Sequence, residues 1–249
     1  MYTKLGILII TGIILMFGTQ LSSQEINVEE ILTESMNTVD QVILNELTRL
    51  QTIANLVEVK EGNWEFIKAA LKKNETERIK SLYWYSLPDG SFSTSENDKV
   101  EVNLKNRGYF PDLLEGKYVA GYPIIGRSSR KKSFVVAVPV MIDGEVNGIL
   151  GTSIFLEEMW NFLKNKIVIP LNYDFYAVDT EGITMFDLET KDHLLENVLE
   201  QTSASLVEAI KNIISSKNGT VSYIWNEQNK TAIYRTSIIT NWRYVISYY

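Results

Sequence analysis

Apolar residues recur at helical spacing from residue 25 to about 59. Val28, Leu32, Met36, Val39, Ile43, Leu47, Leu50, Ala54 and Val57 form one stripe with steps of three and four, and neither Gly nor Pro interrupts it. The spacing predicts a helix of about 35 residues, roughly 50 Å long at 1.5 Å per residue. That is longer than one small domain needs. It fits a spine packed along two stacked domains, and its free face could form a homodimer seam. A shorter helix is predicted over residues 64–73, after Gly62-Asn63.

At residue 82 the period changes from 3.6 to 2. Aromatic-rich strand sequence over 82–87 turns at Pro88-Asp89-Gly90 into a second strand over 91–94. A loop and short helix carry Arg107-Gly108-Tyr109-Phe110-Pro111. A strand over 134–140, the turn Asp143-Gly144 and a strand over 145–155 read as a long hairpin, followed by an amphipathic helix over 156–166. A second pass then begins. Strands over 174–179 and 183–186 flank a turn at Gly182, and helical sequence runs over 194–215 to a cap at Asn218-Gly219. Strands over 220–225, 230–238 and 242–248 complete it. The two passes match as a repeat of elements, with the Gly144 turn set against the turn over 226–229. Pro170 and Asn172 mark the boundary, near 167–172.

The first residues read as an export signal. Lys4 precedes an apolar run over 5–17, shorter than the roughly 20 residues needed to span a bilayer, and a small, polar segment follows. Residues 1–23 are thus expected to be a cleaved signal peptide, with an uncleaved membrane anchor as the alternative. Periplasm or extracellular space is the expected location. Lys+Arg 24 against Asp+Glu 31 gives a net charge of −7, which argues against a nucleic-acid partner. With no Cys and a single His, the chain has no disulfide framework, thiolate metal site or multi-histidine cluster. No phosphate-binding Gly-rich loop and no nucleophile elbow occur, so an enzymatic role is not expected, nor is any cofactor.

The most specific stretch is 104–156: Arg107 before Tyr109-Phe110, then a strand through Pro139-Val140, then Gly144, Gly148 and Leu150-Gly151. With "DFYAVDTEG" and the closing "NWRYVISYY", the ordered set resembles the extracellular double Cache (PAS-like) sensor domain over about 25–249. The resemblance implies an α+β fold: a long N-terminal helix over 24–59, then two PAS-like modules over 60–166 and 173–249, each an antiparallel sheet flanked by helices. It also implies that a small extracellular molecule binds in the first, membrane-distal module. The sequence shows no output module and no second transmembrane segment, so the reading is of a free-standing sensor. Such a protein would act through a membrane receptor or transporter. The rival is a structural protein with a vestigial pocket, assembled through its long helix.

Arg107 beside Tyr109 and Phe110 could fork onto a carboxylate inside an aromatic wall, or could simply bond loop carbonyls. Tyr122, and Tyr83 and Tyr85 on one strand face, are further candidates, with Trp84 on the opposite face. Where the amino-acid-binding branch carries Asp, this chain has Ser153, which leaves an α-ammonium without its counter-charge and favours a carboxylate ligand. Arg127, in a basic run with Arg130, Lys131 and Lys132 and the serines Ser128, Ser129 and Ser133, could form an anion lip or a solvated hairpin end. The second module offers no Arg or aromatic residue over 194–215 and is not expected to bind. Its acids, Asp187 and Glu189 among them, read as surface charge, and His193 as a helix-opening polar residue.

Overall fold

The computed structural model describes residues 27–73 and 79–249. The expected signal segment lies outside them, as do the first residues of the predicted long helix. Among the described residues no helix is long and apolar enough to cross a membrane.

The long helix, α1 (Val28–Ala54), starts at Asn27, whose side chain accepts the Glu30 amide at 3.2 Å. It stops before residue 59. The Asn55 amide bonds back to the Gln51 carbonyl, Leu56 takes an extended conformation at ψ 143°, and a separate turn, α2 (Val57–Lys60), swings Val59 into the core. α3 (Trp64–Lys73) follows as predicted.

The first sheet holds β1 (Ser81–Ser86), β2 (Phe92–Thr94), β3 (Val119–Ile125), β4 (Lys132–Ile142) and β5 (Glu145–Phe155), with α4 (Phe110–Leu114) before β3 and α5 (Leu156–Lys166) after β5. The second holds β6 (Tyr173–Val178), β7 (Thr184–Asp187), β8 (Asn218–Trp225), β9 (Gln228–Thr236) and β10 (Arg243–Tyr248), with α6 (Ala204–Ser215) before β8. The strand orders are β2-β1-β5-β4-β3 and β7-β6-β10-β9-β8, which is one topology used twice. The repeat is therefore real, but its expected alignment is one strand off. β3 did not announce itself, because Gly121 and Pro123 break its alternation. It survives as an edge strand with a bulge at Ala120/Tyr122. The turn between β8 and β9 thus matches the one between β3 and β4, not Gly144.

Two other expectations are corrected. Helix α6 begins at Ala204, where the Ser203 hydroxyl caps the Leu206 amide. Before it, residues 194–198 lie along β7 through backbone bonds from Leu195 to Thr184 and from Thr184 to Glu196. Gly219 is no cap. It sits in β8 opposite Tyr234, whose hydroxyl lies 2.8 Å from where a Cβ would stand.

A single core runs from Tyr83, Phe134 and Val136 of the first sheet, along α1, to Phe175, Phe186 and Tyr244 of the second. The helix is thus the spine its length suggested. Each module is also pinned to it by a buried acid facing a tyrosine. Glu46 lies against Tyr83 of β1, and Asp40 accepts from Tyr244 at 2.7 Å and from Ser237 at 2.9 Å. Between the sheets, the buried Trp242 ring packs edge-on to Phe134 at 5.3 Å, and its indole N–H donates to the Gly121 carbonyl at 3.0 Å. Arg235 is used locally, bonded to Thr33 and Glu29 of α1. On the outer face of α1, Leu44 is the one large apolar residue that is exposed.

Candidate ligand-binding site

Alternation along β1 decides which aromatics can meet a ligand. Tyr83 and Tyr85 point toward α1 and join the central core, whereas Trp84 points away, across Gly151 of β5. The Tyr83 hydroxyl accepts from Arg49 at 3.3 Å. Burial first, and then the charge of Glu46, push its pKa far up. Burial likewise raises Tyr85. Both tyrosines, candidates for the pocket on a strand whose pocket face the sequence left open, lie on the face of the sheet that packs against α1.

On the Trp84 side lies a cavity of about 20 Å³. Its floor is Leu82 and Trp84 from β1, Phe92 from β2 and Ser153 from β5. Its wall is the loop before α4, folded by successive turns in which Leu104 bonds Gly90, Arg107 bonds Leu104 and Phe110 bonds Arg107. These turns deliver Arg107 and Tyr109 to the cavity. The turn between β3 and β4 closes it with Arg127, Ser128 and Ser129.

Arg107 Nη2 donates to the Ile125 carbonyl at 2.8 Å, while its Nε is buried with no hydrogen-bond partner. Desolvation lowers its pKa and the nearby Arg127 charge adds to this, while the two tyrosines oppose it. Arg127 is tied to the Asn103 carbonyl. Among the described residues no carboxylate lines the cavity, and two guanidinium groups share it. The Tyr109 hydroxyl is pushed up to about 12 by burial, against the pull of both arginines. Its ring meets Tyr122 edge-on at 5.4 Å, and Tyr122 in turn caps Gly108 from outside. Phe110 is fully buried beneath α4 with Leu113, Val119 and Val135, in the core rather than the cavity.

Of the residues singled out in the sequence, Arg107, Tyr109, Ser153 and Arg127 converge. Tyr122 covers them, and Phe110, Tyr83 and Tyr85 lie elsewhere. Ser128 and Ser129, from the basic run weighed as an anion lip, line the cavity too. Leu82 was missed, and nothing in the sequence signalled it.

The second module, expected to be featureless, has a larger cavity of about 80 Å³ at the matching place. Asp174 and Tyr176 of β6 stand where Leu82 and Trp84 do, and Ser247 of β10, opposite Asp174, stands where Ser153 does. The segment before α6 contributes Glu189, His193 and Glu196, so that Asp187 and the exposed Glu189, both read as surface charge, border this cavity.

No family model matches the sequence, and no curated protein matches it. Solved structures do. The ligand-binding domain of the Pseudomonas aeruginosa PAO1 amino acid chemoreceptor PctB, in complex with L-Arg, superposes with a TM-score of 0.69 at 11% identity, covering 88% of this chain and 92% of that one. The sensory domain of the Campylobacter jejuni chemoreceptor Tlp3 with isoleucine bound gives 0.64 at 14% identity, covering 88% and 89%. The extracellular domain of the putative histidine kinase mmHK1S-Z2 gives 0.67 at 15%, covering 89% and 95%. Identities this low speak to the fold, and the fold they share with this chain is the double Cache arrangement of a long helix and two five-stranded modules.

Proposed function

We propose that this protein is a sensory ligand-binding module whose first cavity recognises a small carboxylate. The observation that carries this is the pair Arg107 and Arg127 around one cavity with no acid among its described lining, and with Arg107 Nε buried and unpaired. A buried donor on a charged group without an acceptor is costly, and a carboxylate oxygen would supply the acceptor. Tyr109 and Ser153 add neutral hydroxyls, and Trp84 and Phe92 give an apolar wall. Amino acids, bound by the PctB and Tlp3 domains, fit this cavity less well, because nothing in its lining would neutralise an α-ammonium. At about 20 Å³ the cavity holds about one water, so a ligand of several heavy atoms enters by displacing the exposed turn that carries Arg127 to Ser129. Export, and a membrane receptor or transporter that reads the bound state, belong to the same proposal.

Thermal shift with formate, acetate, propionate and lactate, against alanine and isoleucine, tests this reading. Occupancy at 100 times Kd adds about 2.7 kcal/mol of stability. Arg107→Ala should then cost roughly 1.5–3 kcal/mol of binding, or about 10- to 150-fold in affinity by calorimetry. Unchanged affinity in a variant that still melts cooperatively would remove the clamp. No shift with any compound would favour the vestigial-pocket alternative.

A further inference from the structure

The second cavity inverts the charge of the first. Asp174, Asp187, Glu189 and Glu196 line it, against Lys230 and His193. The lysine is already engaged: Lys230, itself buried, is paired to Asp174, while His193 Nδ1 lies 2.9 Å from Asp187 Oδ2. Glu189 and Glu196 have no cationic partner among the described residues, although Glu196 accepts the Gln201 side-chain amide at 3.3 Å, and they border a largely apolar and aromatic space. Leu206 and Ile210 of α6 form one wall, and Tyr176, Tyr223 and Trp225 form another.

The interior is prepared for a polar guest. The Tyr176 and Tyr223 hydroxyls pair at 3.4 Å, and burial keeps both protonated. Ser247, with no exposed surface, lines the cavity, and its Oγ has no hydrogen bond of normal geometry; the Tyr223 hydroxyl is its nearest polar company. A carboxylate only accepts hydrogen bonds, so Glu189 and Glu196 ask for a donor with positive charge. Among the described residues no three metal-ligating side chains converge, which turns the choice from a metal ion to an organic cation. An ammonium offers three N–H donors to the acids and a charge to the faces of the aromatic rings.

We propose that this cavity is a second binding site, for a small primary amine. A volume of about 80 Å³, at roughly 10–15 Å³ for one water, has room for a guest of up to about five to eight heavy atoms. The ammonium sits between Glu189 and Glu196, and the alkyl part lies against Trp225, Leu206 and Ile210. The site is separate from the carboxylate cavity of the first module and stands or falls independently of it.

The test is isothermal titration of the full chain with propylammonium chloride, beside tetramethylammonium chloride at the same ionic strength. Propylammonium should bind, and tetramethylammonium, which has no N–H donor, should bind at least about 10-fold more weakly. Glu189 is exposed and Glu196 partly so, hence the Glu189→Gln, Glu196→Gln double variant keeps shape and fold while removing the charge. It should weaken propylammonium at least about 10-fold, and Trp225→Leu should weaken it several-fold. Three results would overturn the proposal: no heat with propylammonium, equal binding of tetramethylammonium, or wild-type affinity in both folded variants.

Discussion

In the first module, Trp84 and Ser153 frame a cavity set with arginines; in the second, Tyr176 and Ser247 frame one set with carboxylates. The paired residues stand at equivalent strand positions, Leu82 opposite Ser153 and Asp174 opposite Ser247. Most of the charge comes from elsewhere. Arg107 and Arg127 lie on the connections either side of β3, and Glu189, His193 and Glu196 lie on the connection between β7 and β8. The topology thus decides where a cavity opens, while the connecting segments decide what it prefers. Two copies of one plan can diverge in chemistry without disturbing the sheets beneath.

The comparison rests on both cavities belonging to one body, and Trp242 is where that can be broken. Its ring lies between Phe134 and Phe186, and a Cβ at Gly121 would stand 2.9 Å from it. Trp242→Ala should cost about 3–5 kcal/mol in urea unfolding. A loss under about 1 kcal/mol would mean the modules are held together by α1 alone. A smaller change sharpens the charge contrast. Ser153→Asp places an acid beside Arg107, giving the first cavity a counter-charge of its own, and should weaken carboxylate binding about 10- to 100-fold, or about 1.4–2.7 kcal/mol. Affinity equal to wild type would show that Ser153 does not face the ligand.

The smallest expected effect concerns the anchoring acids on α1. Burial raises the pKa of Asp40 above its ordinary 3.8, with the Tyr244 and Ser237 hydrogen bonds opposing the rise. The folded state therefore holds the proton more tightly than the unfolded chain. The stability this confers is complete below about pH 4 and is lost as pH climbs through the folded value. Asp40→Asn cannot titrate. The stability of the wild type relative to Asp40→Asn should fall as pH rises above about 4, by less than about 1.4 kcal/mol for each unit of pKa shift. A relative stability that rises with pH would contradict the direction. The matching experiment at Glu46, also raised by burial, compares the two anchors.

Much of this architecture was legible in the sequence where an apolar run met a turn signal or a helical period. The β4–β5 hairpin could be placed from its apolar runs around Asp143-Gly144 and α5 from its amphipathic spacing, and Arg107, Tyr109, Ser153 and Arg127 do share a cavity. The errors have physical causes. β1 is buried on both faces, so its alternation carries no sign, and Tyr83 and Tyr85 could not be told from Trp84 by pattern. β3 hid behind a bulge and a proline. The second cavity was overlooked because it was sought in the segment over 194–215, whereas its aromatic walls come from the strands. Asp174 and Tyr176, alternating within "DFYAVD", were the available hint.

The spine also sets a schedule. Asp40 finds Tyr244 across 204 positions of sequence, so α1 leaves the ribosome with its apolar stripe bare long before its last partner exists. At 5–20 residues per second, the wait is about 10–40 s. For that interval the spine helix is a sticky, half-finished surface, and whatever shelters it then is as much a condition of this fold as the contacts that finally cover it.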